Sequence, residues 1–325
     1  MGCFIAIAVI ASIIALVFVF KIFLKLTTGW DRSPTCLVGK TAIVTGANSG
    51  IGFYTAQDFA KRGAKVILAC RNQKRAEEAR SKIVEATGNP NVIVKILDQG
   101  SLASVRAFAK EINETEEKID ILVNNAGLGG IEHQISADGL SLIMQTNYFG
   151  PFLLTHLLID LLKKSAPSRI VNVASDAAHF ANLNINDLNG IPDAYFSKSV
   201  DYSNTKLCNI LFTNELARRL KGSGVETYSI HPGAVETNFF DNFPPNAKRV
   251  FKVVAAVFYK TTEEGAQTSI YASVSKDVVG KSGTYFADCK RGWMPRAAKD
   301  QELSRKLWEK SVEFVKLTEE ERQLL

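Results

Sequence analysis

The chain has 325 residues, 46% of them hydrophobic and 22% charged, with a formal charge of +6. That balance excludes a disordered polar chain and leaves enough apolar surface for a sizeable core. Basic and acidic residues are interleaved throughout, which excludes a nucleic-acid footprint and leaves a membrane surface as the better anionic partner. Cys3, Cys36, Cys70, Cys208 and Cys289 form no C-x-x-C pair, as in a reducing compartment. His133, His156, His179 and His231 show no metal-ligand spacing, so no metal site is expected.

In chain order, residues 1–20 carry no charge, and 4–20 are apolar apart from Ser12. As a helix this run reaches roughly 30 Å, the thickness of a bilayer core, and it predicts a transmembrane anchor over 1–26. A basic stretch before it, as a cleaved signal peptide would have, is missing. Lys21, Lys25 and Arg32 follow the span, which orients what comes after it towards the cytosol. The sequon Asn113-Glu-Thr115 offers a check, since sugar there would place the domain in the lumen. Residues 27–37, with Gly29, Ser33 and Pro34, read as a linker, and 38–325 as one domain.

Ala42-Ile-Val44 is a short apolar run without a helical stripe, as in a strand buried on both faces. Gly46, Gly50 and Gly52 then open an amphipathic segment that stops at Gly63. Further strand-like runs at 66–69, 92–97, 119–124, 170–174 and 225–231 alternate with helical segments. The pattern predicts an α/β fold, a single doubly wound parallel sheet with helices on both faces. The glycine spacing matches the general dinucleotide fingerprint only loosely. Such a turn still lets a pyrophosphate approach the backbone and the helix N-terminus.

Tyr202 and Lys206 are four residues apart, so on a helix they share a face. Ser175 follows an apolar run, at the end of a strand where α/β sheets hold ligands. Arg71 stands about twenty residues past the glycine turn, where an acid would bind the ribose 2′-hydroxyl of NAD. A guanidinium there favours a 2′-phosphate, with Asn72, Lys74 and Arg75 adding donors, so the expected cofactor is NADP(H). Each feature has a plainer alternative when taken singly: a tight turn, a surface Tyr–Lys pair, a serine capping a loop.

Together, Thr45-Gly-Ala-Asn-Ser-Gly-Ile-Gly52, Asn124-Asn-Ala-Gly127, Asn147, Ser175, Tyr202-Ser-Asn-Thr-Lys206, Pro232-Gly233 and Thr237 resemble the short-chain dehydrogenase/reductase family. The resemblance implies a Rossmann fold and a catalytic set of Asn147, Ser175, Tyr202 and Lys206. Tyr202 would be the general acid or base, Ser175 would hold the substrate oxygen, and Asn147 would hold a water linking Lys206 to solvent. The implied cofactor residues are Gly46, Asn48, Ser49, Gly50, Ile51, Gly52, Arg71, Asn72, Asp98, Asn125, Ala126, Gly127, Pro232, Gly233, Val235 and Thr237, with Tyr202 and Lys206.

Ser175, Tyr202, Phe239 and Phe240 are the expected substrate contacts, within a loop spanning about 234–260 and ahead of a C-terminal helix. Asp241 is the single charge between Thr237 and Lys248, so a lipophilic alcohol or carbonyl compound is expected rather than a small ion. The N-terminal span, Val66-Ile-Leu-Ala-Cys-Arg71, Val173-Ala-Ser-Asp-Ala-Ala-His179 and Tyr285-Phe-Ala-Asp-Cys-Lys290 resemble the membrane-anchored, NADP(H)-preferring retinol dehydrogenase branch. That branch implies retinal reduction at the endoplasmic reticulum with the domain in the cytosol. A hydroxysteroid or fatty-carbonyl reductase, and a non-catalytic nucleotide-binding scaffold, remain as alternatives. The family often pairs through its long central helices, which allows a homodimer, but no feature here fixes the subunit number.

Overall fold

The computed structural model describes residues 2–190, 197–235 and 259–325. Seven parallel strands, β1 (Thr41–Thr45), β2 (Lys65–Cys70), β3 (Val92–Ile96), β4 (Ile121–Asn124), β5 (Ser168–Val173), β6 (Val225–His231) and β7 (Tyr285–Ala287), lie in the order β3-β2-β1-β4-β5-β6-β7. All of β1 and β4 is buried, as their unbroken apolar runs require when both sheet faces are covered. An eighth strand, β8 (Lys290–Arg291), returns antiparallel to β7, pairing Phe286 with Arg291 and Ala287 with Lys290. The expectation of a wholly parallel sheet is corrected there. A two-residue strand has no periodicity to read, and the turn before it, Asp288–Cys289, is set by backbone at positive φ.

One face of the sheet is covered by α2 (Gly50–Lys61), α3 (Gln73–Thr87) and α9 (Thr262–Val274), through Phe59, Ile83 and Ile270. The other carries α4 (Leu102–Thr115), α6 (Gly150–Leu157), α8 (Ser197–Arg219) and α10 (Gln301–Phe314). Phe108, Phe152, Phe212 and Trp308 fill that layer, with the rings of Phe152 and Trp308 4.9 Å apart. The expected C-terminal helix is α10, and a short α11 (Glu319–Arg322) follows it. Between α4 and α6, α5 (Leu142–Met144) runs into a π-helical turn, Gln145–Phe149, which carries Asn147. Such wide turns commonly re-aim a side chain at a functional site.

A 26-residue helix, α1 (Gly2–Thr27), precedes the sheet. Of its described side chains, Leu16, Val17, Phe18, Val19, Phe20, Ile22 and Phe23 are exposed. Counting described residues alone, no helix is long and apolar enough to cross a membrane.

Residues 28–37, within the linker expected at 27–37, form a strap bonded onto the domain. Arg62 donates to the carbonyls of Ser33 and Thr35 at 2.6 and 3.2 Å and pairs with Asp31 at 2.9 Å. Thr35 Oγ1 donates to the Val274 carbonyl, and the Asp31 amide to Gln267 Oε1. Lys25, in the last turn of α1, pairs with Glu264 of α9. Composition could not reveal this, because the partners lie 27 to 239 residues away in the chain.

Candidate active site

The strand order reverses between β1 and β4, the point at whose carboxyl edge open α/β sheets form their ligand crevice. Gly46 and Gly50 hold φ of +67° and +60°, a backbone that side chains with a Cβ rarely adopt. Ser49 precedes α2 without a side-chain cap bond, so the first amides of that helix are left for another acceptor. A Cβ placed on Gly50 would meet nothing within 4 Å, whereas one on Gly52 would lie 2.4 Å from Asn125 Nδ2 and 2.7 Å from the Gly46 carbonyl oxygen. The turn is therefore open on its outer side and tightly packed beneath, a cradle suited to a pyrophosphate.

Thr45 clamps the two sides of the crevice. Its hydroxyl accepts from the amides of Asn125 and Ala126 at 3.0 and 2.9 Å, and its carbonyl accepts from Asn125 Nδ2 at 2.8 Å. Asn124 serves the sheet instead, donating to Thr155 and Asn172. Gly52→Ala forces apart the amide and carbonyl that shape the cradle, and overpacking of this kind costs about 1–3 kcal/mol. The expected result is a lower melting temperature and dinucleotide affinity weakened at least roughly tenfold. Thermal unfolding and dinucleotide titration of the variant check both, and unchanged affinity contradicts the cradle.

Arg71 follows β2 at the same edge, is exposed, and makes no ion pair with any described residue. Lys74 and Arg75 are exposed beside it. Asn72 Oδ1 caps α3 by accepting from the Arg75 amide at 2.9 Å, a bond that does not use its Nδ2 donors. Asp98, half-buried after β3, accepts from the Gly100 amide at 2.9 Å, which fixes its carboxylate at the outer end of the crevice.

Ser175 follows β5, and α8 carries Tyr202 and Lys206 on one face. Lys206 Nζ lies 5.3 Å from the centre of the Tyr202 ring and donates to the Val173 carbonyl at 2.9 Å. Asn147 Oδ1 accepts from the Leu128 amide at 2.7 Å, while its Nδ2 donates to the Leu128 carbonyl and to Thr205 Oγ1. A Cβ on Gly127 would stand 3.3 Å from Asn147 Oδ1 and 3.6 Å from Lys206 Nζ, so these three residues converge. The amide of Asn147 is spent on the Leu128 backbone and Thr205, rather than on its own helix.

Burial drives the Tyr202 phenol up to about 12, opposed by its hydrogen bond with Ser175. Burial also lowers Lys206 to about 8. Among protein groups, desolvation outweighs every other influence on the phenol.

Gly233 follows β6 at φ +93°, and a Cβ there would strike the Lys260 side chain at 2.7 Å. Lys260 pairs with Asp288, and its backbone bridges to buried Val235, while Pro232 is buried beside them. Ile51 packs near Gly265 and Val235, joining the cradle to this side of the crevice. Asn48 is half-buried in the glycine turn. Thr237, Phe239 and Phe240 lie outside the described residues. A cavity of about 760 Å³ under the strap, lined by Trp30, Cys36, Tyr271 and Cys289 among others, contains none of the expected site residues and is not this crevice.

Three features were not legible beforehand: Thr45 as a clamp, Lys260 against Gly233, and Tyr285, whose hydroxyl donates to Asp176 at 2.6 Å beside Ser175. A threonine ending the first strand, directly before the glycine turn, was the one signal available.

Residues 40–248 match the short chain dehydrogenase family. The fold and this match define the class: an oxidoreductase acting on CH–OH donors with a nicotinamide cofactor. The chain belongs to the short chain dehydrogenase family. It is 43% identical over 297 residues to retinol dehydrogenase 11 of Mus musculus, covering 91% of this chain and 93% of that one. It is 44% identical over 308 residues to retinol dehydrogenase 14 of Homo sapiens, covering 90% of each. An uncharacterized protein from Mycobacterium paratuberculosis, 31% identical, aligns with a TM-score of 0.72 over 89% of this chain and 98% of its own.

Proposed function

We propose that the chain is a membrane-anchored, NADP(H)-dependent oxidoreductase that interconverts retinol and retinal, mainly in the reductive direction. The observation that carries this reading is the convergence of Tyr202, Ser175 and Lys206 at the carboxyl edge, beside a glycine cradle flanked by Arg71. The retinoid substrate is supported by the two retinol dehydrogenases to which the chain is similar. NADP(H) is supported by an exposed guanidinium where an acid would repel the 2′-phosphate.

NADPH, when bound, supplies the hydride. Ser175 orients the carbonyl oxygen, and Tyr202, kept in its acid form by burial, gives that oxygen a proton as the carbonyl carbon becomes a carbinol. Lys206 stabilises the phenolate left behind. Asn147 fixes the backbone beside exposed Gly127, where the proton is restored from solvent.

Residues 1–26 form the anchor in this reading and 38–325 the catalytic domain. The 26 residues of α1 extend roughly 39 Å as a helix, longer than a bilayer core. Lys21 and Lys25 at its end favour a cytosolic domain at the endoplasmic reticulum. Asn113, exposed on α4, then stays without sugar in cells.

The purified chain in bilayers, assayed with retinal, steroid ketones and medium-chain aldehydes against NADPH and NADH, tests the whole reading. Retinal with NADPH is the expected best pair, and a better steroid or fatty substrate overturns the retinoid assignment.

Lys206 also sets a pH limb. As pH rises through about 8, the free chain loses the Lys206 proton while Tyr202 keeps its own to about 12. Reductive kcat/KM for NADPH therefore falls above about pH 8, approaching tenfold per unit. A pH–rate profile reads this directly, and a flat line through that range contradicts the role given to the ammonium.

A further inference from the structure

Two of the most exposed large apolar side chains lie on segments near the site, outside the catalytic set. Phe180 is 78% exposed and Trp293 is 75% exposed. His179 joins them, its ring centre 5.0 Å from that of Trp293 and its Nε2 3.1 Å from the Trp293 carbonyl oxygen. Phe180 ends the short 3-10 turn Asp176–Phe180, whose preceding residue is Ser175. The His179–Trp293 contact thus ties the Trp293 segment to the turn that carries Phe180 beside Ser175, and both large side chains are left exposed.

The charge around the pair is positive. Lys290, Arg291 and Arg296 are exposed within a few residues of Trp293. The nearby acids are already engaged: Asp288 with Lys260, and Asp176 with Tyr285 and His231. An exposed Trp and Phe beside exposed basic residues is the chemistry of a membrane–water interface carrying anionic headgroups.

The strap joins this surface to α1. The Gly29 amide donates to Asp288 Oδ1 at 3.4 Å, and a Cβ on Gly29 would overlap the Asp288 carbonyl. Trp293 lies four residues beyond the Cys289 turn, at most roughly 13 Å along the hairpin strand. The end of α1 and the aromatic rim therefore attach to the same β7–β8 hairpin.

The geometry points to a second membrane contact: Phe180 and Trp293, flanked by Lys290, Arg291 and Arg296, seat the rim of the active site on an anionic bilayer surface, so that a lipophilic substrate passes from lipid into the crevice. This deepens the retinoid reading, and it rests on the bilayer role proposed for α1.

The test uses the full chain in phosphatidylcholine–phosphatidylserine bilayers whose acyl chains carry bromine, a contact quencher of indole fluorescence. The chain has three tryptophans, of which Trp308 is buried. The expected result is strong quenching that includes a component lost in Trp293→Phe. Phe180→Ser with Trp293→Ser raises KM for bilayer-dissolved retinal roughly tenfold and leaves KM for a water-soluble short aldehyde unchanged. A chain that resists alkaline extraction, yet whose quenching is the same without Trp293, overturns the contact and keeps the anchor. A chain that washes out, yet is quenched through Trp293 at neutral pH, keeps the contact and overturns the anchor. Equal KM changes for both aldehydes also overturn the proposal, because they place the pair in substrate binding rather than at the membrane.

Discussion

Tyr202→Phe removes turnover while leaving NADPH binding within about twofold of the native chain. The ring stays and keeps its place on α8, while the one acidic proton near the Ser175 hydroxyl is lost. General acid catalysis contributes typically 10²–10⁴-fold, and here the carbonyl oxygen would otherwise become an alkoxide in a buried site, so kcat should fall by roughly 10³ or more. NADPH affinity should hold, because the cradle at Gly46, Gly50 and Gly52 and the cation at Arg71 are untouched. Single-turnover kinetics and fluorescence titration separate the two effects. Residual turnover near the native rate removes Tyr202 from the mechanism.

Arg71→Asp shifts preference from NADPH towards NADH by roughly a hundredfold in the ratio of kcat/KM. The substitution removes charge-assisted bonds worth about 1.5–3 kcal/mol and sets a carboxylate against the 2′-phosphate. The same carboxylate can accept from the ribose hydroxyls of NADH, so activity with that cofactor should be kept or improved. The side chain is exposed and pairs with no described residue, so the effect is not confounded by a lost structural contact. An unchanged ratio moves the phosphate site elsewhere.

The part of this architecture that could be read from residues alone is the part governed by local pattern. The buried run at Ala42, Ile43 and Val44, the glycines with positive φ, and the stop at Gly63 all express rules of one strand, one turn or one helix. The four-residue step from Tyr202 to Lys206 likewise fixes a shared helical face before any tertiary contact is known.

What escaped that reading depends on residues distant in sequence. Asp31 and Arg62 bond the linker segment onto the domain as a strap, and Thr45 reaches Asn125 across 80 residues. The acidity of the Tyr202 phenol escapes it for the same reason. Its acidity is set by how completely α8, Ser175 and their neighbours exclude water, and burial is a property of the assembled layers. Strand β8 is too short for any periodic signal, and it is the hairpin that brings Gly29 and Trp293 to one edge.

The most direct measurement gives the full chain in bilayers retinal together with NADPH deuterated at the nicotinamide position that donates hydride, and examines the product by mass spectrometry. Retinol carrying deuterium on its carbinol carbon, formed by the native chain and absent with Tyr202→Phe, is the predicted result. Retinol without that deuterium, or equal labelled product from both chains, contradicts the account.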